Sequence, residues 1–443
     1  MALGPVGKGL NEPKKNPRCP PDTQTRRDRA NGTAERHHWP GMRAAGKQSR
    51  YPAPSRAAAF WLVAVVLCLL FFAAGAPSPL YGIYRAQLRF SATTLTAVFA
   101  TYALVLLLTL LIFGSLSDYL GRRRVILAAL VVTAGACAVF LAAHDVGLLF
   151  AARALQGIAV GAATGALGAA LIDLQPGGSG LAPLITTAAS LLGLGAGALG
   201  TSVLAQYGPA PTRLVWWLLL GASIAAAAGI LAMPEPGTRR AGALASLRPQ
   251  VGVPRQARAT FATAVPCLIA VWALSGLYQS LGPSLAVQVT GSRDLVWGGL
   301  LVFLLTGVAS GATVAFRALT PRTAMLTGCL VLLAGLAVTF AAIATTTAAA
   351  FLAGTAIAGG GSGLALLGVN RTLIPLAPPG QRAGLIAAIF IISFLGLSIP
   401  ALIAGMATAH LGLHRTALAY CAAIAALAAV AAGRLMLRSR EVQ

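Results

Sequence analysis

Acidic residues are the scarcest chemistry in this chain: ten Asp and Glu among 443 residues, none of them in the interior of a long apolar run. Lysine is scarcer still, confined to Lys8, Lys14, Lys15 and Lys47. Charged residues of every kind make up 10% of the chain against 57% hydrophobic, with a mean hydropathy of +0.79. A soluble domain would have too little polar surface to cover itself at that ratio, so a soluble globular protein is excluded. With no lysine beyond position 47, the apolar region cannot supply the Gly-rich loop and lysine that cradle a nucleotide's phosphates, which removes a nucleotide-driven pump. Cysteines are few and scattered: Cys19, Cys68, Cys137, Cys267, Cys329 and Cys421. They show no metal-ligand or redox spacing and read as small apolar fillers. Nor do the five histidines combine with carboxylates into a metal cluster or a nucleophile with its base, so neither a metal site nor a membrane enzyme is expected, and no cofactor.

What the chain has in abundance is unbroken apolar sequence. A bilayer core of about 30 Å needs about 20 consecutive apolar residues per helix. About a dozen such runs are present, near 57–76, 92–113, 125–143, 147–172, 181–205, 214–233, 261–287, 295–316, 323–344, 347–369, 384–406 and 416–436. Ten-residue alternation, the mark of a membrane β-barrel, is missing, and helices satisfy their own backbone in lipid. The fold class expected is an all-α integral membrane protein of twelve transmembrane helices.

The net charge of +23 would suggest nucleic acid for a soluble protein, but the arginines have an address that makes nucleic acid an unneeded partner. With an even number of spans and both termini on one side, that side carries fifteen arginines in its connectors and end: Arg122 to Arg124, Arg239, Arg240, Arg248, Arg255, Arg258, Arg317, Arg322, Arg371, Arg382, Arg434, Arg438 and Arg440. The other side carries five, Arg85, Arg89, Arg213, Arg293 and Arg415. By the positive-inside rule the first side, and both termini, are cytoplasmic. The arginine-for-lysine, alanine-rich composition fits a bacterial plasma membrane.

Residues 1–56 differ in kind, basic and poor in apolar clusters, and are expected to be a disordered tail. Two readings are open: a polybasic segment drawn to anionic headgroups, or a translation start at Met42 rather than Met1, which is favoured. No cleavable signal is expected, because the first apolar run begins only near Ala57. The polar connector 234–260 divides the spans into 57–233 and 261–437, followed by a short tail at 438–443. If the halves are duplicates, residues should recur at a fixed offset. Leu192-Gly193-Leu194 recurs as Leu395-Gly396-Leu397, Ala198-Leu199 as Ala401-Leu402, and Gly157 and Gly165 as Gly360 and Gly368, all at 203; Pro79 falls on Pro283 at 204.

The connector after the second run, Gly114-Ser115-Leu116-Ser117-Asp118-Tyr119-Leu120-Gly121-Arg122-Arg123-Arg124, packs a carboxylate and three arginines into eleven residues. The fourth run opens on Arg153-Ala154-Leu155-Gln156-Gly157. On these two motifs, in place within a twelve-span chain, residues 57–437 resemble the major facilitator superfamily. Its signature loop carries Gly, Asp, Gly and basic residues where Gly114, Asp118, Gly121 and Arg122 to Arg124 stand, and a second motif carries Arg, Gln and Gly as at 153, 156 and 157. Tyr119 stands where the family often has a basic residue, and the Gly-Pro step of the antiporter signature is missing from Ser190 to Gly200. The resemblance implies two pseudo-symmetric six-helix bundles, alternating access, and a cavity lined by spans one, four, seven and ten.

Read as chemistry, Asp118 and Asp173 end spans on the arginine-rich side and can meet the guanidinium groups of Arg122 to Arg124, forming a latch that joins the halves in the outward-open state and breaks when the cytoplasmic side opens; the same charges could serve only to fix topology. Arg153 is the basic residue placed well inside a span, at a cost of roughly 3 kcal/mol, so it faces the substrate cavity or a polar partner, with Gln156 beside it as a second cavity candidate, or snorkels to the outer interface. Glycines 157, 161 and 165, and 193 and 197, make smooth stripes for close helix approach. Tyr81, Tyr84, Trp272, Tyr278 and Gln279 lie at the proline-marked ends of spans one and seven, as an interfacial aromatic belt or along the substrate path. Family resemblance adds Asn370 and Arg371. The expected function is export of a small amphipathic organic solute, with uptake of a neutral solute such as a sugar second and a non-transporting scaffold or receptor third. The expected partners are that solute, the lipid bilayer and, as coupling ion, protons; the expected state is a monomer.

Overall fold

The computed structural model describes residues 55–175, 181–236, 251–378 and 381–440. The expected disordered tail, apart from its last two residues, lies outside them, as do residues 237–250 of the connector and the chain's last three.

Every described element is helical. The first span is two consecutive pieces, α1 (Arg56–Gly75) and α2 (Pro77–Leu88). Then come α3 (Ala92–Phe113), a turn of helix α4 (Ser117–Leu120), α5 (Arg122–Leu141), α6 (Val146–Leu174), α7 (Leu181–Tyr207) and α8 (Leu214–Ala232). The second half begins with the seventh span, again in two pieces, α9 (Arg258–Ser280) and α10 (Gly282–Thr290), followed by α11 (Leu295–Ala315), α12 (Pro321–Thr345) and α13 (Ala348–Leu373). The last helix, α14 (Arg382–Arg440), has 59 residues, or about 90 Å at 1.5 Å per residue, far more than one bilayer. It is broken at Gly412 (φ 76°, ψ 163°), a left-handed position that glycine adopts without a Cβ penalty, and its limbs 382–411 and 413–440 are the eleventh and twelfth spans.

Polar residues at the surface start these helices. The side chains of Ser91, Asp145, Asp294 and Thr320 accept from the backbone N–H groups of Thr94, Leu148, Val296 and Thr323, so two of the chain's rare carboxylates are helix caps. The first and seventh spans run past their expected ends, to Leu88 and Thr290. Pro77 and Pro283 sit in the first turn of a new helical piece, where a missing N–H does little harm, so they bend the spans instead of ending them.

Two buried cores correspond to the two halves. One gathers residues from Ala59 to Met233, the other from Ala264 to Leu435. Phe394, Leu397 and Ala401 of the eleventh span cross over and join the first core, which makes that helix part of the seam between the halves. The fifth and eighth spans complete the seam. They touch from Ala188 and Ser310, through Gly195 and Thr306, to Ser202 and Gly299.

Candidate functional site

At the arginine-rich end, Gly121 (φ 98°) lets the chain turn sharply between α4 and α5 and aims Arg122 back at the connector. Arg122 Nη1 bonds the Asp118 carboxylate and donates to Ser117 Oγ at 2.7 Å, while its Nε reaches Asp173 Oδ2 at 3.4 Å. One guanidinium thus ties the connector to the end of the fourth span. Arg56 joins from the first span, donating to the Asp173 carbonyl at 2.6 Å. Arg123 turns the other way: its side chain donates to the Leu231 carbonyl and its N–H to Glu235 Oε1 at 3.2 Å, both at the end of the sixth span. Arg124 is exposed.

The expected latch joins the halves in the outward-open state; in this conformer its residues meet within one half. Asp118, Arg122 and Asp173 all belong to the first half, because the connector joins spans two and three and Asp173 ends span four. The cluster fastens one bundle to itself. Arginines of the second half do the same: Arg371 donates to the Arg317 and Leu319 carbonyls, Arg322 to that of Leu435 and Arg434 to that of Ala262.

Arg153 does not snorkel; it is 1% exposed. Its place follows from the break in the first span. Pro77 has no N–H, so the Ala73 carbonyl four residues earlier loses its helical donor. Gln156 Nε2 supplies one at 2.8 Å, and Arg153 Nη1 donates to the next carbonyl, Ala74 O, at 3.1 Å and to Gln156 Oε1 at 2.8 Å. Residues 153 and 156 share a helix face at this spacing, so the Arg-Gln pair acts as a two-pronged clip on the proline break. The Tyr102 ring lies 4.2 Å from the guanidinium carbon, in cation–π range. Among the described residues, Arg153 Nε and Tyr81 Oη are buried without a hydrogen-bond partner.

The seventh span repeats the break, and here the two halves meet. Pro283 leaves the Gln279 carbonyl without its helical donor, and Ser78 Oγ donates to it across the seam at 2.7 Å, with both residues buried. Thr93 Oγ1 donates to the Gly405 carbonyl, Gln206 Oε1 accepts from the Leu295 N–H at 3.1 Å, and Tyr207 Oη lies 3.5 Å from Asp294 Oδ2. All four bridges sit at the end opposite the arginines.

Deeper in the seam, Trp272 packs against both cores, with Phe394 at 5.3 Å between ring centroids and Phe390 stacked beyond it at 6.1 Å. The other aromatic candidates fall elsewhere. Tyr84 is buried and accepts a hydrogen bond from Trp216 Nε1 at 3.0 Å, tying the sixth span to the first. Tyr278 is buried inside the second half, 2.8 Å from Thr355 Oγ1 and stacked on Phe351. These rings form no interfacial belt. Asn370 is half-buried beside the exposed Arg371 at the arginine-rich end.

The glycine stripes allow close approach within the first half: a Cβ at Gly157 would sit 2.7 Å from the Tyr102 carbonyl, and Gly193 and Gly197 press on the first span. The seam between halves uses Gly195 and Gly299 instead. Sequence reasoning missed Arg56, Ser117, Glu235, Ser78, Tyr102, Phe390 and Phe394; of these, Ser78 alone had a signal, its place between two prolines. It also missed that Cys267 and Cys329, from spans seven and nine, lie 3.6 Å apart sulfur to sulfur.

Three solved structures share this architecture at low identity. A bacterial homolog of the human lysosomal transporter Spinster, in an inward-facing and occupied conformation, superposes with a TM-score of 0.69 at 15% identity over 88% of this chain and 99% of that one. The human organic anion transporter MFSD10 (TETRAN) gives 0.64 at 16% over 85% and 100%, and a point mutant of the nucleoside transporter NupG gives 0.63 at 12% over 84% and 98%. No curated protein sequence matches the chain. The family model of the Major Facilitator Superfamily matches residues 63–396, three quarters of the sequence, and it takes in both the Asp118 connector and the Arg153 clip. With that match laid over twelve helices in two halves, the chain belongs to the Major Facilitator Superfamily, a membrane transporter family.

Proposed function

We propose that the protein exports an amphipathic organic solute across a plasma membrane by alternating access, as a monomer with both termini in the cytoplasm. The orientation rests on the three-to-one arginine bias. With the arginine-rich end inside, the Ser78–Gln279 and Gln206–Leu295 bridges close the outer end, and the described conformer is one closed to the outside. The observation that carries the solute class is the Trp272–Phe394–Phe390 wall between the halves. A seam surface that offers aromatic faces and one indole N–H without a partner suits a flat, mostly apolar molecule with a single polar handle better than a sugar, whose many hydroxyls each need a partner.

The Asp118–Arg122–Asp173 cluster acts as a latch through shape. By fixing the connector against the fourth span it keeps the first half rigid at its inner end while the halves rock. Asp118 and Asp173 are also carboxylates at the arginine-rich end, and protons are the coupling ion that they could carry. A solute screen in proteoliposomes, with and without an imposed pH gradient, tests the reading. Outward flux of aromatic amphiphiles, accelerated by the gradient, is the expected result. Folded, inserted protein that moves only neutral sugars, or nothing, overturns it.

A further inference from the structure

The three connector arginines do not share one task. Arg122 pairs with Asp118 and Asp173, and Arg123 is taken up at the end of the sixth span by the Leu231 carbonyl and Glu235. The Arg124 guanidinium is exposed and makes neither a hydrogen bond nor an ion pair among the described residues. It lines a cavity of about 220 Å³ between the second, third and fourth spans, whose other polar side chain is Thr109. Thr109, Val125, Ala129 and Ala159 in its wall are buried, whereas Phe113, Leu120, Ala128 and Ile158 are exposed, so the cavity is a groove open on one side.

That side faces lipid. All of the lining belongs to the first half, and the neighbouring Leu108 and Val131 are more than half exposed, as aliphatic side chains are where a membrane helix meets acyl chains. An apolar hollow in that position is filled by the bilayer: it has too few polar partners to hold water, and left empty it forfeits the dispersion contacts of its walls. An apolar cavity of about 150 Å³ already admits a benzene, so this one has room for a stretch of acyl chain. The charge at its edge selects the lipid. Arg124 stands in the first turn of α5, where a long side chain reaches the headgroup layer, and Val132, deeper in the lining, is eight positions further on, about 12 Å along the axis. A headgroup at Arg124 with its chain alongside Val132 is the outline of one lipid lying along α5.

We propose that this groove binds an anionic phospholipid, with an acyl chain in the cavity and the headgroup phosphate accepting two parallel hydrogen bonds from the Arg124 guanidinium. Leu116 and Leu120 of the groove wall belong to the connector that carries Asp118, so the seated chain braces the connector from its lipid side. The site is separate from the seam aromatics, and its occupancy depends neither on which solute is moved nor on the direction of movement.

Native mass spectrometry of the full chain tests this, with the detergent-purified protein titrated with phosphatidylglycerol, phosphatidylcholine and phosphatidylethanolamine of identical acyl chains. The first phosphatidylglycerol should bind at least about tenfold more tightly than the first molecule of either zwitterionic lipid, and Arg124→Gln should abolish that preference. Ala128→Trp keeps the arginine but fills the groove with an indole, and should weaken phosphatidylglycerol by about tenfold as well. Ala128→Leu, a smaller filler, asks the same question with less strain and should weaken it in the same direction. Arg317→Gln removes an equal charge from an exposed site at the same end of the second half and should leave the first binding event unchanged. The proposal is overturned if either zwitterionic lipid matches phosphatidylglycerol, if Arg124→Gln changes nothing, or if Arg317→Gln costs as much as Arg124→Gln. Groove-filling variants that bind phosphatidylglycerol as tightly as the native protein overturn it too, because the headgroup would then be held by surface charge alone.

Discussion

Ser78→Ala is the sharpest perturbation of the closed end opposite the arginines. The Gln279 carbonyl cannot be served by its own helix, because residue 283 is proline, and the Ser78 hydroxyl is its donor at 2.7 Å. Removing that hydroxyl leaves a buried acceptor unsatisfied, at a cost of about 1–3 kcal/mol. The cost falls only on the conformer in which the two breaks touch, so the ratio of closed to open forms of that end should drop by roughly 5- to 150-fold. Spin labels at the exposed positions Gln87 and Arg293, one in each half at the end opposite the arginines, report that ratio through their distance distribution in a background with the native cysteines replaced. The decisive control is Pro283→Ala, which restores an N–H at position 283 and gives the carbonyl back a helical donor. In that background Ser78→Ala should shift the distribution far less. Equal shifts in the two backgrounds, or no shift at all, refute the reasoning.

Gly157→Ala puts a methyl 2.7 Å from the Tyr102 carbonyl and should destabilise the first half by about 1–3 kcal/mol in chemical unfolding, whereas Gly135→Ala, with open space around it, should be neutral or stabilising. Asp118→Asn removes an ion pair whose carboxylate is 42% exposed and so contributes no more than about 1 kcal/mol; thermal stability should hardly move while solute flux falls severely, and unchanged flux would reduce the cluster to a topology signal. Tyr84→Phe leaves the buried Trp216 N–H without its acceptor and should cost about 1–3 kcal/mol of stability. Transport per folded molecule should stay as it was, and an altered KM would place Tyr84 on the solute path instead.

Much of the architecture is legible along the chain because lipid imposes a one-dimensional rule. Length and apolarity alone mark a crossing helix, and arginine placement alone marks its sides. The Asp118–Arg122 pair could be read the same way, since its members stand four positions apart with a glycine just before the arginine. Arg153 shows where such reading stops. Its position eight residues into α6 allowed either a snorkelling or an inward side chain, and the choice was made by a proline break in another helix, whose carbonyls needed donors. Tyr84 shows the same limit: its ring belongs to Trp216, 132 residues away.

By itself, then, the sequence determined that this is a bundle of twelve membrane helices in two related halves with one heavily basic end, because burial in lipid and charge at its surface act on each segment separately. The tertiary structure alone decided that the charged cluster clasps a single half, that Ser78 reaches Gln279 across the seam, and that Arg153 is buried with neutral groups as its hydrogen-bond partners. Those contacts depend on which helices pack side by side and in what register, and residue spacing along any one helix carries no record of that.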